Sequence, residues 1–370
     1  MQITWSRHGL RSTRPVHAAR TFALGMMLLG GAAACETVAS PELTRSDEVA
    51  QGSGAIGGTV LTVGGQPLAG ARVRTAGGAE TVTDGAGNFS IQGLAPAPRL
   101  AVTVEAAGFD ATTAIYEVRA GAQLERPIRV QPLAPPVVIN AGTGGAVPFQ
   151  GGGQVVIPAN AFPVAPGTPV TVRATYIDTN NAQQFATAPG DFTGRTFGGT
   201  LEQIQSFGML SVDVRDAQGQ PLDLAPGQQA VIQFPLRGGS GAATRPLWDF
   251  DTQQGIWVET GAVTVTPTSQ DATVQSLAPR RNVDVPFPPV CITVRTLRPD
   301  KVTPRPNQFV TATGVSYAGF TQGWTNGQGL VQLQVRSASQ VLVQAGPAQQ
   351  TVNTPPPGTP GCPLVSTLVF

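Results

Sequence analysis

Short apolar runs with polar residues interleaved recur along most of the chain, and the breaks between them carry turn residues. Ile56, Thr59-Val60-Leu61 and Val63 make a β-rich run that stops at Gly64-Gly65-Gln66-Pro67. Leu68 to Arg74 restarts it, and Thr81-Val82-Thr83 leads into Asp84-Gly85-Ala86-Gly87 before Asn88-Phe89-Ser90-Ile91 alternates again. Asp-Gly between two such runs is a strong hairpin signal, because the turn needs positive φ where Gly is free. Leu100 to Val104 and Leu124 to Val130 supply further strands, so residues 54–133 read as one small antiparallel sandwich. Pro132-Leu133-Ala134-Pro135-Pro136 then reads as a stiff linker.

The same period continues beyond the linker. Gly151 to Phe162, Thr171 to Asp178, Ser206 to Val212 and Pro246 to Asp251 mark an all-β domain over 137–285. Within it, Leu247 to Glu259 reads as a hairpin, with Trp248 and Phe250 on one face and Trp257 opposite in direction to Ile256 and Val258. In the last stretch, Thr325-Asn326-Gly327-Gln328-Gly329 followed by Leu330 repeats the Thr83-Asp84-Gly85-Ala86-Gly87-Asn88 turn position by position. A second, diverged sandwich over 291–370 is expected. The fold class is all-β: several small antiparallel β-sandwich modules in series, after a signal peptide and a flexible tether.

One apolar run is different in kind. Residues 23–34 follow a segment carrying Arg7, Arg11, Arg14 and Arg20, and end at Ala32-Ala33-Ala34-Cys35. A basic segment, an apolar stretch and small residues at its end make a secretory signal over 1–34. No second run reaches the ~18 residues that would span a bilayer. Residues 36–53 are polar and without sustained period, so 35–53 reads as a modified cysteine and a flexible tether.

The Ala-Ala-Ala-Cys sequence resembles the lipobox of bacterial lipoproteins, with Ala32 where Leu is usual. The resemblance implies a lipid on Cys35 and cleavage before it, and Glu36 in place of Asp implies the outer membrane of the cell envelope, periplasmic or surface-exposed. The alternative, an ordinary signal peptide cut at an Ala-x-Ala site and releasing a soluble product, is disfavoured by a cysteine directly after such a run. Gly57-Gly58-Thr59-Val60, Pro67 to Val73, Thr83 to Phe89 and Ala106-Ala107-Gly108-Phe109 resemble the carboxypeptidase regulatory-like domain, a transthyretin-like sandwich. This implies a folding or interaction module without peptidase activity. The four central stretches are similar to the central region of cartilage intermediate layer protein, which implies an extracellular all-β domain of unassigned activity.

Composition narrows the chemistry. Gly (45) and Pro (33) are abundant and charged residues are only 12% of the 370, as many short strands and turns require. Loss of the four signal-segment arginines would take the formal charge from +1 to −3, and Lys301 is the chain's one lysine. Such a chain has no electrostatic footprint for nucleic acid. His8 and His17 both lie in the removable segment, so triads needing an imidazole are excluded after processing. No cofactor or resident metal is expected. Asp249 and Asp251 would hold a cation only within a fuller carboxylate loop, and the missing Asp-x-Asp-x-Asp-Gly pattern favours a solvating, turn-bonding role.

Cys291 and Cys362 remain as an isolated pair in an exported chain, which reads as a disulfide. The function expected is a membrane-anchored, non-catalytic binding or structural module, not an enzyme, meeting a glycan or an envelope protein. The alternatives are a glycan-binding surface protein, or a hydrolase that uses two carboxylates alone. Exposed rings among Trp248, Trp257, Trp324, Tyr176 and Tyr317 would favour glycan stacking; buried rings would favour the spacer or protein-interaction reading.

Overall fold

A computed structural model describes residues 52–237 and 242–370. The signal segment, Cys35 and the tether up to Gln51 lie outside the described residues. The described chain is almost entirely β, with one short helix, α1 (Ala182–Phe185).

The first sandwich contains β1 (Gly54–Thr62), β2 (Arg72–Thr75), β3 (Glu80–Val82), β4 (Asn88–Leu94), β5 (Ala97–Glu105), β6 (Thr112–Val118) and β7 (Gln123–Val130). One sheet has the order β4-β1-β7 and the other β3-β2-β5-β6. In β4 the sides alternate cleanly, with Phe89 and Ile91 buried and Asn88, Ser90 and Gln92 exposed. That alternation is what places Val73, Val102, Val104 and Leu124 in one core between the sheets.

The central domain contains β8 (Val137–Asn140), β9 (Gly145–Phe149), β10 (Gly153–Ile157), β11 (Pro169–Ile177), β12 (Thr193–Arg195) and β13 (Leu201–Arg215). It continues through β14 (Ala230–Pro235), β15 (Thr244–Asp251), β16 (Ile256–Val265), β17 (Ser269–Val274) and β18 (Arg281–Pro286). These form an 11-stranded sheet, ordered β8-β11-β13-β18-β15-β16-β17-β14-β10-β9 with β12 beside β13 and β16. Its two end strands are consecutive in the chain and meet at the Asn140–Gly144 bridge. The path therefore curls round towards itself and leaves little open edge for another chain to pair with.

The third sandwich contains β19 (Pro289–Leu297), β20 (Phe309–Gly314), β21 (Phe320–Trp324), β22 (Leu330–Arg336), β23 (Gln340–Ala345), β24 (Ala348–Asn353) and β25 (Leu364–Val369). Its sheets are β22-β19-β25 and β21-β20-β23-β24, which repeats the first sandwich strand for strand. Both keep the same departure from antiparallel pairing: β7 runs parallel to β1, and β25 runs parallel to β19. The repeated turn is equally faithful. Asp84 Oδ1 accepts from the N–H of Ala86 and Asn88, and Asn326 Oδ1 accepts from the N–H of Gln328 and Leu330. Thr83 Oγ1 donates to Leu68 O and accepts from Ala71 N, while Thr325 Oγ1 donates to Arg305 O and accepts from Gln308 N.

Cys291 on β19 is bonded to Cys362, just ahead of β25, with Cα atoms 4.7 Å apart and a separation of 71 in sequence. The bond ties the parallel closing strand to the strand that it pairs with. Replacing both cysteines by Ser should cost about 2–4 kcal/mol in the chain-entropy account. Denaturant melts of the wild type with and without reductant provide the check. Equal midpoints in the two conditions would rule the bond out as a stabiliser.

The central domain buries a polar trio. Ser206 Oγ donates to Asn282 Oδ1 at 2.6 Å, and Asn282 Nδ2 donates to Asp284 Oδ2 at 2.7 Å. Asp284 is fully buried and its Oδ1 has no partner. Desolvation raises its pKa well above the ordinary carboxylate range, opposed in part by the nearby Ser206 hydroxyl. A raised folded-state value means that the stabilising contribution is complete below the unfolded pKa and is lost as pH rises through the folded one. Asp284→Asn should therefore raise the unfolding midpoint at pH 8, with the gain shrinking towards pH 4. A gain that grew on acidification would contradict the assignment.

Candidate functional site

The third sandwich packs back on the first, and both rest on the central domain. Trp324, at the end of β21, belongs to the core of the first sandwich rather than its own. Its ring lies 5.5 Å from that of Tyr116 and 4.9 Å from that of Phe309. Arg119, following β6, donates to Trp324 O and Thr325 O at 2.9 Å while Glu117 holds its other side at 2.7 Å. Carbonyls of an edge strand are thus capped by a charged fork, which supplies several donors in fixed geometry.

The central domain grips the first sandwich through Asp110. This carboxylate accepts from Arg280 at 2.6 Å and from Ser211 Oγ at 3.0 Å, and both ion-pair side chains are nearly buried. Arg99 pairs with Asp191, and its guanidinium also donates to Gly255 O at 3.3 Å. On the other flank, Phe320 of the third sandwich packs edge-on against Phe185 and Phe192. The linker is held to both of the domains it joins: Leu133 N donates to Gly108 O of the first sandwich, and Ala134 N to Thr175 Oγ1 of the central domain.

A cleft of about 690 Å³ opens where these parts meet, lined among others by Arg99, Tyr116, Asp191, Gln322, Trp324 and Gln332. Its two carboxylates, Glu117 and Asp191, are each engaged by an arginine. Neither oxygen pair is thus free of an arginine, unlike the acid–base pair that a carboxylate-only hydrolase needs. Among the described residues no group of three or more His, Cys, Asp or Glu is placed to hold a metal ion. Asp249 faces Arg281 at 3.4 Å without hydrogen-bond alignment, and Asp251 Oδ1 accepts from the N–H of Gln253 and Gln254. Burial raises the pKa of Asp249, which opposes a role as a hard-cation ligand.

The aromatic candidates are corrected by the structure. Trp248 and Trp257 are fully buried, and Trp324, Tyr176 and Tyr317 nearly so. Trp248 and Trp257 fill a core that is closed from outside by Ala318 and Phe320 of the third sandwich. None of the five offers an open ring face to a sugar. The hairpin alternation was sufficient to orient Trp257, whose ring meets Phe250 at 4.9 Å. It carried no information on what covers that face. Arg119, Arg126 and Gln322 were missed for a related reason: each draws its role from partners in another module.

Residues 55–131 match the carboxypeptidase regulatory-like domain. The regulatory-like domain thus coincides with the first sandwich, including the Thr83–Asn88 turn and the parallel β7. The chain is also 26% identical over 217 residues to human cartilage intermediate layer protein 2, covering 55% of this chain and 19% of the relative. The mouse protein is 27% identical over 220 residues, covering 56% and 19%. The chain therefore spans about a fifth of the length of these curated relatives.

Among solved structures, the Bacillus anthracis TIE protein aligns with 86% of this chain and 51% of its own at 11% identity and a TM-score of 0.21. BcpA, the major pilin subunit of Bacillus cereus, aligns with 86% and 98% at 10% identity and a TM-score of 0.20. Scores this low carry no inference from those proteins to this one. Among the described residues no helix is long and apolar enough to cross a membrane.

Proposed function

We propose that the chain is a non-catalytic module of the cell envelope, held at a membrane by a lipid on Cys35 and presenting the regulatory-like domain and its two partners as one rigid block. The observation that supports this most directly is Trp324, which belongs to the third sandwich and is seated in the core of the first. Modules joined only by linkers would turn freely; a shared core fixes their relative orientation and gives a structural or binding surface of constant shape. The residue inventory agrees, since both histidines fall in the segment expected to be removed and the two downstream cysteines are committed to a bond.

The anchor is tested by expressing the full chain with Cys35→Ser. The wild type should partition into the detergent phase with an acylated N-terminal cysteine, and the variant should remain unprocessed and leave that fraction. A soluble, unmodified wild type would remove the anchor from the proposal. Reproducible turnover of a glycan, peptide or ester, abolished by one Asp or Glu substitution that spares the fold, would remove the non-catalytic part.

A further inference from the structure

Arg126, on β7, stands out among the arginines at the junction of the sandwiches. Its guanidinium lies 4.4 Å from the ring centre of Phe309 and 6.0 Å from that of Tyr116. It makes one long hydrogen bond, to Ile115 O at 3.3 Å, and its buried Nε has no partner. Among the described residues it takes part in no ion pair. Asp191, the carboxylate whose charge reaches it, is bound to Arg99. Desolvation lowers the Arg126 pKa to about 10. Contact with aromatic faces offsets part of that cost, yet a desolvated cation is normally paired as well.

The group faces a second cleft, of about 590 Å³, on the side of β21 where Arg129, Gln308, Thr311, Thr313 and Gln344 also line the wall. The floor is the outer face of three adjacent strands. Thr311 on β20 stands directly across from Gln322 on β21 and from Gln344 on β23, so the three form one polar row. Neighbouring strands are about 4.8 Å apart, and such a row offers amide and hydroxyl groups at that repeat. Both polar atoms of the Gln322 amide are buried and unpartnered. The cleft's one carboxylate, Glu125, already accepts from Gln123 Nε2 at 2.7 Å. With Arg126 and Arg129 against Glu125 alone, positive charge is in excess, in a setting otherwise rich in neutral donors and acceptors.

We infer that this cleft binds an acidic sugar unit of a polysaccharide, with its carboxylate on Arg126 and its ring hydroxyls along Gln322, Thr311 and Gln344. A guanidinium fork matches a carboxylate with two donors, whereas amides and hydroxyls suit groups that both give and accept hydrogen bonds. An extended peptide fits less well, because the outer face of these strands presents side chains and not backbone groups, and the carbonyl of Trp324 at the end of the edge strand β21 is already capped by Arg119. The inference rests on the non-catalytic reading above, which it extends by naming a ligand class and a place.

The test is isothermal titration of the detergent-solubilised full chain with trigalacturonate, its neutral counterpart galactotriose, and tri-glutamate. Trigalacturonate should bind at least tenfold more tightly than either of the others. Arg126→Lys should weaken it tenfold or more, and Thr311→Val and Gln344→Ala should each weaken it severalfold. Equal binding of galactotriose would overturn the role of the carboxylate, and equal binding of tri-glutamate would overturn the sugar assignment. If Arg126→Lys does not fold, unchanged affinity in both Thr311→Val and Gln344→Ala overturns the site. Chromatography of the recovered trisaccharide separates the two readings: shortened products would end the non-catalytic reading, while intact sugar and no binding would end only this inference.

Discussion

Trp324→Ala should destabilise the described block by about 3–5 kcal/mol, as buried aromatic truncations do, and should uncouple its modules. The ring is 5% exposed and sits between Tyr116 and Phe309, so its loss opens a cavity in the core of one sandwich through a change made in another. A denaturant melt that is a single transition in the wild type should split in two. Protease should then cut the segment around Phe287-Pro288, which joins the central domain to the third sandwich. Trp324→Phe should cost much less, because Nε1 has no hydrogen-bond partner to lose. A single transition within about 1 kcal/mol of the wild type, the range of an ordinary point mutation, would sink the idea of a shared core.

Gly329→Ala should be nearly as damaging. The residue has φ of 71°, and a Cβ there would lie 2.4 Å from Thr296 O and 3.2 Å from Arg305 N. Strain at such a backbone angle alone costs about 1–3 kcal/mol, and backbone atoms on both sides leave no direction in which to relax. Gly87 stands at the same place in the regulatory-like domain, with φ of 76° and a Cβ position 2.7 Å from Val60 O. Gly87→Ala should therefore produce a matching loss. Gly327→Ala, in the same turn, has open space around it and should change stability by less than about 0.5 kcal/mol. If thermal melts place Gly329→Ala beside Gly327→Ala, the steric argument fails.

The contrast between those glycines explains how far the sequence could be read. The turn is a local device: Asp84 or Asn326 bonds backbone two and four residues on, and Gly87 or Gly329 supplies the positive φ, all within six positions. Its recurrence was therefore visible in the letters alone. Strand alternation, another local signal, placed Phe89 and Ile91 on a common face. The Cys291–Cys362 pairing followed from the isolation of the two cysteines in a chain read as exported.

What escaped, the disulfide apart, were the assignments that depend on a distant partner. Trp248 and Trp257 look the same in sequence whether their face is open or covered, and it is Ala318 and Phe320, some 60–70 positions later, that contribute to covering it. Arg126 reads as one more strand cation until Phe309 is brought over it. The central sheet gives a similar lesson: hairpins such as β15–β16 are local, but the pairing of β10 with β14 joins Val155 to Ile232 across the whole domain.

The parallel strands that end both sandwiches have a consequence for the order of assembly. β19 receives its partner β25 only when Leu364–Val369 is available, and β1 waits in the same way for Gln123–Val130. Neither sandwich closes progressively as its residues appear. Each keeps one edge of its opening strand bare until the final segment arrives, so closure is governed by the slow meeting of remote ends. In the third sandwich that moment also brings Cys362 to Cys291, and oxidation then seals a structure that has only just become complete.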